Sequence, residues 1–252
     1  MGAVLSGHFE ATRERLPQAE APVLALHDTT EFTYKREDMA AVGLVSIGQP
    51  GCVVHVDDQE SDIFDLFGVA RQLETHFLVR TRADRLADGG PEAVAEAIGQ
   101  SPRRGLYRIA VRNRKGEEPE AVLEIRYRRL RIQTAKGKKK RYPEQTVTVI
   151  EAREQQTPPD RERIDWKLIT DLTVRTRREA VEKVQWYALR WKIEAFHKIL
   201  KSGCRAEQSR LRTTARLTNL LAVFCILSWR DWAAIWRATP TLHPEAKPSG
   251  KD

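Results

Sequence analysis

Two short apolar runs that each end in a carboxylate constrain this chain most. The first is Val23-Leu-Ala-Leu-His-Asp28, and the second is Cys52-Val-Val-His-Val-Asp-Asp58. Apolar runs this short, bounded by polar residues, read as buried strands. A helix is predicted after the second, over about Ser61 to Leu73. Ser61 or Asp62 caps it, and Ile63, Phe64, Phe67, Ala70 and Leu73 form its apolar side. His76 to Arg80 is then a third strand. Strand, helix, strand in this order predicts an α/β sheet.

Beyond Arg80 the pattern changes. Pro91 suits the first position of a short helix. Strand signals follow at Leu106 to Val111, Ala121 to Ile132 and Thr146 to Ile150, with turns at Arg114-Lys-Gly116 and Lys136-Gly-Lys138. Residues 151–163 are polar, contain Pro158-Pro159 and read as a linker. A strand returns at Asp165 to Thr170. Helices are predicted over about Arg177 to Lys201 and about Thr213 to Ala238. This divides the chain into a first part of an α/β core (1–80), a β-rich insertion with its linker (81–163), a second part of the core (164–238) and a fraying tail (239–252).

Charge selects among partners. The sequence has 43 basic and 35 acidic residues, a net charge of +8. That surplus favours a polyanion, nucleic acid before membrane. The longest apolar run, Leu220 to Leu227, is far short of the ~20 residues a spanning helix needs, and no signal peptide opens the chain. The three cysteines, Cys52, Cys204 and Cys225, form no CxxC pair. This argues against a disulfide framework or zinc finger and for a reducing cytoplasm.

On a helix over 177–201, Tyr187, Arg190, Glu194, Lys198 and Lys201 fall on one narrow arc. Ala188, Leu189, Ile193, Ala195, Phe196, Ile199 and Leu200 lie on the remainder. Two readings stand. One is a solvated face stitched by i,i+4 pairs, Arg190–Glu194–Lys198. The other is a single carboxylate flanked by cations that hold phosphates. Asp28 and Asp58 (or its neighbour Asp57) stand at strand ends, where α/β sheets gather ligands. Singly each reads as a turn or cap residue. With Glu194 they read as a carboxylate triad suited to hard divalent cations and in-line phosphoryl displacement. Arg126, Arg128, Arg129 and Arg131, with Lys138-Lys-Lys-Arg141, read either as a soluble charged hairpin or as contacts to a nucleic-acid backbone. His27, His55 and His197 read as packing groups near the site, and no glycine run forms a phosphate-cradling loop.

These residues resemble a known family. Tyr187-x2-Arg190-x3-Glu194-x6-Lys201 is similar to the Y-R-E-K signature of bacterial insertion-sequence transposases. With Lys198, the run from Arg190 to Lys201 resembles the Tn-five-like members of the insertion-sequence-four group. Val23-Leu-Ala-Leu-His-Asp28-Thr-Thr looks like their first catalytic motif. Val56-Asp57-Asp58-Gln-Glu-Ser-Asp62-Ile63 looks like the second, and the position of Asp62-Ile63 selects Asp58 over Asp57. The resemblance implies an RNase H-like catalytic core with a β-rich insertion and C-terminal helices. It implies a DDE DNA transposase whose metal ligands are Asp28, Asp58 and Glu194, with Mg2+ as cofactor and Mn2+ as its substitute. Tyr187, Arg190, Lys198 and Lys201 would grip phosphates. The implied partner is double-stranded DNA, as transposon ends and target, with a homodimer as the working form in the bacterial cytoplasm at the nucleoid.

The chain also departs from that family. Asp58 follows Asp28 by 30 residues, where family members hold two further strands and a helix. A shortened core is therefore expected, and a copy that does not transpose. An N-terminal DNA-end-binding domain and a full C-terminal pairing region are likewise expected to be absent. Two alternatives accompany the transposase reading: a nuclease of the same fold, and a non-catalytic DNA-binding remnant.

Overall fold

The computed structural model describes residues 22–27, 53–58, 64–81, 93–111, 119–132, 144–156, 161–200 and 214–238, besides positions 7, 10, 11, 14 and 159. The elements are β1 (Val23–Leu26), β2 (Val53–Asp57), α1 (Phe64–Gln72), β3 (His76–Arg80), α2 (Val94–Gly99), β4 (Gly105–Ala110), β5 (Glu120–Ile132), β6 (Gln145–Glu154), β7 (Asp165–Thr170), α3 (Arg177–Ala188), α4 (Trp191–Lys198) and α5 (Thr214–Ala238). The protein is mixed α/β.

All seven strands join one sheet in the order β1-β2-β3-β7-β6-β5-β4. The first three run parallel. From β3 onward every pairing is antiparallel. β1 takes its place through its pairing with β2, and the His27 N–H continues it by donating to the Val56 carbonyl at 2.9 Å.

Helices cover both faces, so the central strands read as continuous apolar runs. On one face α3 packs Ala180, Val184 and Tyr187 against Val54, Val56, Leu78, Leu123, Ile125, Ile150 and Leu168. On the other, α1 and α2 pack Phe67, Ala70, Val94, Ala97 and Ile98 against Phe77, Val79, Leu130, Ile132, Val147, Val149 and Ile169. Phe67 and Phe77 stack with ring centroids 4.4 Å apart. Each such buried side chain contributes about 1.5–3 kcal/mol.

Two expectations change. The first concerns β6, which runs to Glu154 rather than Ile150 and so enters the stretch read as a linker. Its polar end is buried because it is paired. Glu151, 2% exposed, lies 3.0 Å from Arg153 and 3.7 Å from Arg126. Glu154 holds Arg161 at 2.6 Å and accepts the Ile164 N–H at 3.0 Å. Burial opposes the charge of Glu154, yet Arg161 and that N–H bring its carboxyl below the usual range. The second concerns the helix expected over 177–201, which is two helices, α3 and α4, meeting at Leu189 and Arg190.

Candidate active site

α3 begins with a capping box. The Thr176 hydroxyl accepts the Glu179 N–H, and the Glu179 carboxylate accepts those of Arg175 and Thr176. The helix packs in turn against β5, β6, β3 and β2, so its C-terminal end reaches the carboxyl end of β2. There the backbone tightens. Arg190 donates to the Tyr187 carbonyl, Lys192 to Leu189 and Ile193 to Arg190, all at i→i+3 spacing. No proline or glycine stands at this junction. It coincides with two anchored side chains: Tyr187 packs edge-on against Trp166, with centroids 5.1 Å apart, and Arg190 turns to Asp58.

Four of the expected site residues meet here. The Tyr187 hydroxyl donates to Asp58 Oδ1 at 3.4 Å. Arg190 Nη2 lies 3.3 Å from Asp58 Oδ2, and the same nitrogen bonds Glu194 Oε1. One cationic nitrogen therefore joins two carboxylates from distant parts of the chain. The Arg190 side chain is 13% exposed, Asp58 26% and Glu194 49%. The single exposed stripe expected of Tyr187, Arg190, Glu194 and Lys198 is thus graded, because Tyr187 is buried while Lys198 is exposed. Asp28 and Lys201 lie outside the described residues, as do Lys138 to Arg141.

Strand alternation separates the two neighbouring acids. Val54 and Val56 face α3, and Asp58 continues that parity toward Tyr187. Asp57 pairs in register with Val79, which belongs to the α1–α2 side. Its Oδ1 accepts the Asp58 N–H at 2.7 Å.

The electrostatics keep the two donors in their useful forms. Burial, and then the Asp58 charge, raise the pKa of Tyr187, so its hydroxyl stays protonated at neutral pH. Burial works against the Arg190 charge, but Tyr187, Glu194 and Asp58 together raise it above its usual range. Lys192, buried on the inner side of α4, is lowered by burial to about 8.

His27 and His55 sit on the other face of the sheet from Asp58. His27 Nε2 and His55 Nδ1 are 2.9 Å apart with stacked rings. His55 pairs in register with Phe77, on the α1–α2 side. The sequence reading also passed over Arg80. It ends β3 as Asp58 follows β2, and its charge acts on Tyr187. Its signal was the same as that of the acids: a charged residue closing an apolar strand.

The expected basic array on β5 divides. Arg126 donates to the Gly99 and Ser101 carbonyls and to Glu124, and Arg128 donates to the Ala97 carbonyl. Both therefore serve the C-terminal end of α2, where cations are favoured. Arg129 and Arg131 project to the opposite side and are exposed.

Asp58 and Glu194 supply oxygen donors, the kind a hard divalent cation takes. That both already flank one cationic nitrogen shows that their charges converge. Among the described residues no three His, Cys, Asp or Glu side chains gather as a metal cage. No described helix is long and apolar enough to cross a membrane. A family model described as the transposase DDE domain matches residues 66–229. The matched span includes Tyr187, Arg190, Glu194, Lys198 and Lys201, while Asp28 and Asp58 precede it. It covers well over half of the sequence, and the chain belongs to the transposase DDE domain family.

Proposed function

We propose that this chain is the RNase H-like catalytic domain of a Tn-five-like transposase of the insertion-sequence-four group, shortened between Asp28 and Asp58. It acts on double-stranded DNA at transposon ends, with Asp28, Asp58 and Glu194 as ligands for Mg2+, and with a second copy of the chain as partner. One observation carries the reading: Asp58 and Glu194, on separate elements, converge on Arg190 Nη2. In a solvated ion-pair stripe, Arg190 and Glu194 would need no partner from β2. Asp28 lies outside the described residues and enters on its sequence motif, Val23-Leu-Ala-Leu-His-Asp28.

A divalent cation, when bound, neutralises charge on the scissile phosphate and lowers the barrier to in-line displacement. The chain's residues prepare that step. Asp58 and Glu194 present oxygen donors. The Tyr187 hydroxyl fixes the Asp58 carboxylate from one side, and Trp166 holds the Tyr187 ring. Arg190 and Lys198 border the carboxylates with positive charge suited to phosphate oxygens.

A second reading, DNA binding without cleavage, is favoured by the sheet's end. β1 is the terminal strand of the described sheet and all four of its residues are only half-buried. The test is a labelled transposon-end duplex incubated with the protein and Mg2+ or Mn2+. Catalysis predicts nicks that disappear in both Asp58→Asn and Glu194→Gln. Retained DNA binding with no metal-dependent product would establish the remnant reading instead.

A further inference from the structure

The N-terminal end of α3 carries a second concentration of positive charge, far from the acids. Arg104, Arg129, Arg175 and Arg178 are all exposed. Among the described residues, none of Arg104, Arg129 and Arg178 has a carboxylate within ion-pair distance. Arg104 and Arg129 line a cleft of about 390 Å³ with Tyr127 and Val174. The Arg104 guanidinium lies 5.3 Å from the Tyr127 ring centroid, and the Tyr127 hydroxyl donates to the Arg175 carbonyl at 2.9 Å. Tyr127 thus ties the β5 side of the cleft to the segment that leads into α3.

This cluster and the acids share a line across the sheet. Asp57 pairs with Val79, which brings Asp58 level with Arg80. Arg80 pairs with Leu168, Leu168 with Ile150, and Ile150 with Tyr127. Four strand spacings separate β2 from β5, about 19 Å. The 12 residues of α3 span about 18 Å by an independent measure. Both ends lie on the α3 face, since Tyr127 packs on the α3 side of the core.

We propose that Arg104, Arg129, Arg175 and Arg178 form a second phosphate-binding surface for double-stranded DNA. It meets the backbone about 5–6 base pairs from the phosphate at Asp58 and Glu194, given a rise of ~3.4 Å per nucleotide. The spacing rests on the catalytic reading above. Arg126 and Arg128 are committed to α2 carbonyls, whereas these arginines are exposed; Arg129 reaches the Thr173 hydroxyl, at 3.5 Å, and Arg175 lies near Glu179. Four exposed arginines drawn from β5, the segment before β4 and the start of α3 suit a polyanion better than a single small anion.

The experiment is a fluorescence-anisotropy titration of the full chain with a labelled duplex of several helical turns, repeated over a range of salt. Arg104→Ala, Arg129→Ala and Arg178→Ala are combined in one variant. Losing two to three phosphate contacts makes the slope of log K against log salt shallower by about 2–3. The corresponding triple lysine variant keeps the wild-type slope, which separates lost charge from lost structure. An unchanged slope in the alanine variant, or a lysine variant as weak as the alanine one, overturns the proposal. Wild-type protein that binds no duplex overturns both this surface and the transposase site. A shallower slope alongside nicking indifferent to Glu194→Gln leaves the surface standing and removes the catalytic reading.

Discussion

Neighbouring residues of like chemistry meet different fates in this fold. Asp57 and Asp58 differ by one step along β2, and strand alternation sends them to opposite faces. Arg128 and Arg129 repeat the case on β5: one donates to an α2 carbonyl, and the other stays exposed. Composition alone treats each pair as equivalent. His55 supports a prediction at this scale. Burial, then the facing His27, lower its pKa, and Asp57 only partly offsets them. The unfolded chain therefore takes up a proton at His55 more readily than the folded one. Stability is expected to fall as pH drops through ~6.5, the unfolded value. Urea midpoints at pH 7 and pH 5.5 should differ less in His55→Gln than in the wild type; equal differences would refute the assignment.

At the scale of elements, most boundaries follow apolar runs, and the exceptions have long-range causes. β6 continues through Glu151 and Glu154 because Arg126 of β5 and Arg161 from the following segment neutralise them. α3 and α4 separate where Tyr187 and Arg190 reach β2 and β7. The start of β4 depends on Gly105, at a φ of 137°, in the region glycine favours. A Cβ there would stand 2.7 Å from Arg177 Nε and 2.9 Å from its Cδ. Arg177 also donates to the Leu106 carbonyl, so α3 and β4 are joined at this point. Gly105→Ala is expected to cost about 1–3 kcal/mol through backbone strain and displacement of that side chain. Chemical denaturation gives the value directly, and a loss below a few tenths would show that the junction adapts freely.

Across the whole molecule, protection follows position in the sheet. β6 is paired on both sides and buried from Val147 through Ala152, whereas β1 ends the described sheet and is half-buried throughout. Native-state hydrogen exchange should be slowest in β6 and β7 and clearly faster in β1. Equal protection in β1 would show that the first strand is as firmly built in as the centre. The sequence by itself determined the α/β class, the positions of most strands and helices, and Asp58, Tyr187, Arg190 and Glu194 as candidates, because hydrophobic periodicity and motif spacing are local properties. Tertiary structure alone decided that Asp58 and Glu194 share Arg190, that Arg126 and Arg128 serve α2, and that Tyr127 stands level with the acids. Each of these depends on pairing between distant strands, and a single step in register would move every side chain of a strand to the other face.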